Sequence, residues 1–257
     1  MHPMLNIGIR AARAAGDHIV RNMDRIEGLN VSSKGLNDFV SEVDKHAEAI
    51  IIDVIHKSYP GHSILAEESG QHGTHEFQWI VDPLDGTTNF LHGFPHFAVS
   101  IALEYRGELD QAVVYDPVKQ ELFSASKGSG AYLNNRRIRV SQLNSLKGAL
   151  LGTGFPFGDS DKLEIFIESF RAVFPMTAGI RRAGTASLDL AYVACGRLDG
   201  FWEYGLKTWD MAAGALLVKE AGGIISSITG DNDYLTGGDV LCANSKIYQQ
   251  MHELLNR

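Results

Sequence analysis

The chain has 257 residues, 44% of them hydrophobic, which is enough for one large domain or two closely packed ones and too apolar for a disordered chain. Its 31 acidic against 23 basic residues leave a net charge of -8, which argues against a protein whose main task is sequence-independent binding to nucleic-acid phosphates. Cys195 and Cys242 stand apart in apolar surroundings, without the spacing of a zinc or redox site, and no apolar run reaches the roughly 18 residues of a membrane span, so a soluble, cytoplasmic protein with reduced core thiols is expected.

Leu5, Ile9, Ala12, Ile19, Val20 and Met23 recur at three- and four-residue steps and predict an amphipathic helix of about five turns. A second helix is predicted from near Asn37 or Asp38, with Val40, Val43, Ala47, Ile50, Ile51 and Val54 inward, stopped by Pro60-Gly61. Two short apolar runs follow, at 63–66 and 78–81, and each ends in acids: Glu67-Glu68 after the first, Asp82 after the second. Residues 97–104, 111–115, 121–125 and 131–133 then read as four strands separated by turn residues, a meander. From about residue 148 strands and helices alternate to the end of the chain. This change of rhythm divides the chain into an α+β half, residues 1–142, with an antiparallel sheet, and an α/β half, residues 143–257, with a site at their junction.

The run Asp82-Pro83-Leu84-Asp85-Gly86-Thr87-Thr88-Asn89 carries the clearest chemistry. Pro83 fixes the backbone after an apolar strand, so two carboxylates three residues apart can turn to one side of a tight bend that also exposes the Leu84 carbonyl. Carboxylates with a backbone carbonyl form an all-oxygen set suited to magnesium or manganese, not zinc. An isolated Asp-Gly is more simply a helix cap, and Asp210, in Trp209-Asp210-Met211, also reads as one. The alternative gains weight if Glu67, Asp82 and Asp85 converge, because each pair at ~4 Å costs roughly 4 kcal/mol at an effective dielectric of about 20, which a divalent cation relieves. The Gly86-Thr87-Thr88 amides would then supply an anion site beside the metal, and metal with anion means phosphate.

Glu67-Glu68-Ser69, Trp79 through Phe90, and Trp209-Asp210-Met211-Ala212-Ala213-Gly214 resemble the two signatures and the linking acid pair of the inositol monophosphatase family, over nearly the whole chain. The opening seven residues and Leu188-Asp189-Leu190-Ala191-Tyr192 are similar to its bacterial branch. The resemblance implies a layered αβαβα sandwich of the sugar-phosphatase superfamily, commonly a homodimer, with two or three magnesium ions and sensitivity to lithium. Position by position it implies Glu67, Asp82, the Leu84 carbonyl, Asp85 and Asp210 as metal ligands, and Glu67 and Thr87, with Asp85, as the catalytic group. The substrate side would comprise Leu84, Asp85, Gly86 and Thr87 at the phosphate, Gly184-Thr185-Ala186, Glu203 on a hydroxyl of the sugar alcohol, Asp210, and Arg181, whose neighbour Arg182 could exchange roles with it. Lys34 and Asp38 match a loop of the family, and Asp44 an acid near a weak third metal.

The expected reaction is magnesium-dependent hydrolysis of inositol monophosphate and related polyol phosphates, by in-line attack of water and without a phosphoenzyme. The alternative is a bisphosphate phosphatase of the same superfamily, acting on fructose 1,6-bisphosphate or phosphoadenosine phosphate; an acid at Glu203 should repel a second phosphate. A role of another class, as a partner of RNA polymerase and antitermination factors, rests on the resemblance alone.

Overall fold

The computed structural model describes residues 2–23, 31–35, 38–156 and 160–256, with only the backbone path given within 31–40 and at 160–161, so the side chains of Lys34 and Asp38 lie outside the described parts. Helix α1 (Pro3–Asn22) buries Leu5, Ala11, Ala12, Ala15 and Ile19 along one stripe. A hairpin of β1 (Val31–Gly35) and β2 (Asp38–Ser41) precedes helix α2 (Glu42–Ser58), which therefore begins later than the sequence pattern suggests. Ser41 is the effective cap. Its hydroxyl accepts from the Val43 amide, and the Asp44 carboxylate reaches back to the Ser41 amide at 2.9 Å, a capping box; Asp38 lies in strand β2, and Asn37 lies outside the described residues.

The first sheet has eight strands: β3 (Ser63–Ala66), β4 (Gly70–His72), β5 (Phe77–Asp85), β6 (Ala98–Tyr105), β7 (Glu108–Asp116), β8 (Glu121–Ser126), β9 (Gly130–Leu133) and β10 (Arg136–Arg137). Their order is β10-β9-β8-β7-β6-β5-β3-β4, antiparallel throughout except for β3 against β5, which is parallel. The second sheet, of β11 (Leu150–Thr153), β12 (Gly179–Arg181), β13 (Gly200–Glu203), β14 (Ile224–Ser226) and β15 (Val240–Ala243), runs β12-β11-β13-β15-β14. It is parallel around β11 and antiparallel around β15. The remaining helices are α3 (Thr87–Leu91), α4 (Ser160–Val173), α5 (Ala186–Ala194), α6 (Thr208–Glu220), α7 (Tyr234–Gly237) and α8 (Ser245–Leu255).

Three hydrophobic cores bind five layers. Trp79, Val81, Ile101 and Val113 meet α1 and α2 on the outer face of the first sheet. Their strand neighbours Ile80, Ala102, Ala112 and Val114 face the opposite way, into a core shared with α5, α6, Phe201 and Cys242. Trp202, Leu241 and Ala243 turn outward again to α4 and α8 through Phe166, Ile247 and Met251. Because both sheets are covered on both faces, their central strands are continuously apolar, and the period of two shows only in which core each residue enters. The sandwich is αβαβα, as the family resemblance implies. Its middle layer is apolar all round: α6 buries every residue from Met211 to Val218. At Gly214 an added Cβ would stand 2.5 Å from the Leu190 Cβ, so a glycine there lets α5 and α6 touch.

Candidate active site

Parallel pairing of β3 with β5 is the first positioning device. With Ala66 opposite Val81, both strands end at the same edge, and Glu67 emerges beside Asp82, its amide bonded to the Val81 carbonyl at 3.1 Å. Beyond Asp82 the strand bulges against β6, from Asp82 opposite Ser100 to Asp85 opposite Ala98, so the second acid is re-aimed. The Asp82 carboxylate accepts from the Leu84 amide at 3.0 Å and the Thr87 hydroxyl donates toward the Leu84 carbonyl at 3.0 Å, which closes the turn. Gly86, at φ +95, completes it; a Cβ there would meet the Thr185 hydroxyl at 2.6 Å.

The other half of the chain supplies the opposite wall. Asp85 accepts from the Ser187 amide at 2.7 Å, in the first turn of α5, and Asp210, in the first turn of α6, accepts from the Lys207 amide at 2.7 Å. Asn89 bridges the two walls: its amide donates to the carbonyls of His96 (2.8 Å) and Ala183 (2.9 Å), and Thr185 donates to the same His96 carbonyl at 3.0 Å. The result is a cavity of about 630 Å³ lined by Glu67, Asp85, Gly86, Thr87, Gly184, Thr185, Ala186, Glu203 and Asp210, together with Thr88, Asn89, His92, Arg182 and Leu206. Asp82 is buried behind it, 2% exposed. The arginine at the cavity is Arg182; Arg181 is exposed on β12, its guanidinium bonded to the Ile180 carbonyl, because neighbours on extended backbone point to opposite sides.

Three further residues join the site without having been assigned to it from the sequence in these roles. Asp44 accepts from the Thr87 hydroxyl at 2.8 Å while Ser41 holds its other oxygen, an arrangement announced only by the Ser41-x-x-Asp44 spacing. Asn89 is the bridge just described. Asp189, inside α5, is 1% exposed and its Oδ1 has no hydrogen-bond partner among the described residues; its helical spacing marks it as one more core-facing position and gives no other signal. Of the two histidines after the signature, His92 bonds the Thr88 carbonyl at 2.8 Å, and burial, then Lys119, hold the buried His96 down at about 4.

The electrostatics follow from burying acids together. Burial, then the charges of Glu67, Asp85 and Asp210, pushes the Asp82 carboxyl well up, and Asp82 shares a hydrogen bond with Glu67. Burial raises Asp85 to about 6 against the opposing pull of the Ser187 and Ala186 groups. Burial, then Asp85, raises Asp210; burial, then Asp189 and Asp210, raises Glu203, which Arg182 partly offsets. Among the described residues no group of three or more His, Cys, Asp and Glu side chains stands in place to hold a metal ion. The donors gathered here are nonetheless all oxygen, the carboxylates of Glu67, Asp85 and Asp210 at the cavity with Asp82 buried beside Glu67, a set whose chemistry suits a hard divalent cation.

An αβαβα sandwich with an acid-lined cavity where its two sheets meet is the architecture of a phosphatase of the sugar-phosphatase type. The chain belongs to the inositol monophosphatase family, whose model matches residues 1–257. The Nus factor SuhB of Pseudomonas aeruginosa is 55% identical over 98% of this chain and 95% of its own. The crystal structure of the extragenic suppressor protein suhB from Bartonella henselae superposes with a TM-score of 0.97 at 44% identity, covering 100% of this chain and 99% of that one. An inositol monophosphatase from Anabaena does so with a TM-score of 0.85 at 37% identity, over 98% and 95%. Among the described residues no helix is long and apolar enough to cross a membrane.

The raised acids set a pH dependence. A carboxyl whose folded pKa lies above its unfolded value binds its proton more tightly when folded, so it favours folding at low pH and that stability is lost as pH rises from about 4 through about 6. In metal-free protein Asp85→Asn should therefore raise the melting temperature at pH 7 to 8, and the gain should vanish by about pH 4. A gain that is largest at pH 4, or none at any pH, would contradict the assignment; thermal melts of both proteins across this range in chelator are the measurement.

Proposed function

We propose that this phosphatase hydrolyses inositol monophosphate and related polyol phosphates to the free alcohol and phosphate, with two or three magnesium ions, for which manganese can substitute. The observation that carries the reading is the gathering of Glu67, Asp85, Asp210, the Gly86-Thr87 turn and Glu203 around one cavity. In it, Glu67, Asp82, the Leu84 carbonyl, Asp85 and Asp210 hold the metal. Such ions, when bound, supply positive charge to phosphoryl and leaving-group oxygens and make water a better nucleophile at neutral pH. The Gly86 and Thr87 amides orient the phosphate. Thr87 Oγ1 takes a proton from the attacking water as its own passes to Asp44 Oδ1, 2.8 Å away, with Glu67 orienting that water. Glu203 accepts hydroxyls of the alcohol, Gly184-Thr185-Ala186 lies against its ring, and Arg182 is the arginine on the substrate side. Among the described residues no cysteine lines the cavity, and the histidine that does, His92, is bonded to the Thr88 carbonyl; neither serves as a covalent nucleophile in this reading.

A buried acid at Glu203 also disfavours a second phosphate, which weighs against fructose 1,6-bisphosphate and phosphoadenosine phosphate as preferred substrates. With magnesium, turnover of inositol 1-phosphate should exceed that of either bisphosphate, and Asp85→Asn should lower it by about three orders of magnitude, the scale of ~4 kcal/mol of transition-state stabilisation. Preference for a bisphosphate defeats the substrate assignment; retained turnover in Asp85→Asn defeats the metal site.

The name of the Pseudomonas relative supports a second reading, that the chain also joins RNA polymerase and antitermination factors through its surface. Pull-down of transcription elongation complexes should succeed with the wild type and with Asp85→Asn alike, since surface contact does not need hydrolysis; failure of both forms rejects the partner role. Exposed apolar side chains gathered in the segment 155–176, Phe155, Ile165, Phe174 and Met176 at 42 to 55% exposure, favour a homodimer. Sedimentation should give a dimer mass that Phe174→Glu with Met176→Glu reduces to a monomer, and a wild-type monomer at micromolar concentration would reject it.

A further inference from the structure

Glu203 ends β13, and the parallel partner strand β11 brings Gly154 level with it: Thr153 lies opposite Trp202, and the Thr153 hydroxyl bonds the Trp202 carbonyl at 2.9 Å. Gly154 is buried, and the space above its Cα is filled by one group. A Cβ built there would stand 1.9 Å from Glu203 Oε1, 2.0 Å from Cδ and 2.2 Å from Oε2, whereas ordinary contact begins at 3.4 Å. The three nearest atoms are all carboxylate atoms, none of them backbone. Gly154 does not sit in the left-handed region, so its backbone admits an alanine; what the glycine provides is room.

The main chain around Glu203 has little freedom to retreat. Glu203 pairs with Val240 on β15, the Gly205 amide donates to the Asp239 carboxylate at 3.0 Å, and the Leu206 amide donates to the Gly238 carbonyl at 2.8 Å. Lys162 holds the same Asp239 oxygen at 2.7 Å. A side chain at position 154 would therefore displace the carboxylate itself by more than an ångström. The acids that bear on hydrolysis sit elsewhere, at the ends of β3 and β5 and in the first turn of α6.

We propose that Gly154 is a specificity-determining residue: by lacking a side chain it seats the Glu203 carboxylate where the hydroxyls of the alcohol arrive, and any larger residue there shifts the enzyme toward phosphate esters without those hydroxyls. The inference rests on the reading of Glu203 as the hydroxyl-binding acid. The quantity to measure is the ratio of kcat/KM for inositol 1-phosphate to kcat/KM for p-nitrophenyl phosphate, which has no alcohol hydroxyls. Gly154→Ala should lower this ratio about tenfold or more, the scale of a displaced polar contact to a substrate hydroxyl. Adding Glu203→Asp, which shortens the acid and makes room again, should recover part of it. The double variant Gly154→Ala with Glu203→Ala should fall no further than Glu203→Ala alone, since both act through one carboxylate. If Glu203→Ala shifts the ratio and Gly154→Ala does not, or lowers both substrates equally, the role of Gly154 is overturned alone. If Glu203→Ala leaves the ratio unmoved, the hydroxyl-binding reading falls and takes this one with it.

Discussion

Carboxylates held side by side inside a protein repel one another by about 4 kcal/mol per pair at ~4 Å and an effective dielectric of about 20, and the fold must hold Glu67, Asp82, Asp85 and Asp210 together against that force. It does so by tethering acids to main-chain donors near each of them. Asp82 takes the Leu84 amide, Asp85 the Ser187 amide and Asp210 the Lys207 amide, while behind them Asp44 takes the Ser41 amide. Hydrogen bonds to a charged group contribute about 1.5 to 3 kcal/mol each, comparable to one repulsive pair and less than the sum of several. Burial is the first cause that keeps Asp82, Asp85 and Asp210 raised, with repulsion adding to it at Asp82 and Asp210, and together they leave the cluster ready to exchange protons for a cation.

The middle layer brings those tethers to one place. Helices α5 and α6 lie between two sheets, so neither has a solvent face, and small residues let them approach closely: Ala212, Ala213, Gly214 and Ala215 on one, Ala191 and Ala194 on the other. Both begin at the cavity, which is why Ser187 and Asp210 arrive there together. The first sheet meets them with its strand ends because β3 and β5 run parallel and in register. One step of register between Ala66 and Val81 would turn Glu67 to the other face and remove it from Asp82.

Much of this was legible along the chain, and the rest was not for reasons that can be named. The Asp82 to Asn89 run and Glu67 stood out because each follows an apolar strand, and strand ends at which chemistry collects have that form. The parallel pairing of β3 with β5 was not visible, since periodicity gives the faces of a strand and not its partner or direction; the first half read as carrying an antiparallel sheet, with no direction assigned to these two strands. The start of α2 was misplaced because Asn37, Asp38 and Ser41 are all plausible caps, and only the β1–β2 hairpin leaves Ser41 as the one that works. Arg181 and Arg182 are a pair whose facing depends on where β12 ends. Asp44 needed a contact across 43 residues to Thr87, beyond any local pattern.

The same geometry separates hydrolysis from selection. The acids at the ends of β3 and β5 belong to the first sheet, whereas Glu203 and Gly154 stand at the ends of neighbouring strands of the second, and the two sets meet at the cavity between the sheets. Connections between them include Asn89 to the 183–185 turn, Thr185 to the His96 carbonyl, Asp85 to Ser187, and the eight residues from Glu203 to Asp210, which the Asp239 contact holds in one path. A change in the second sheet can therefore alter which alcohol is accepted while the acids of the first keep their arrangement. A change at Asn89 cannot, because its side-chain bonds to the His96 and Ala183 carbonyls set the distance between the two walls.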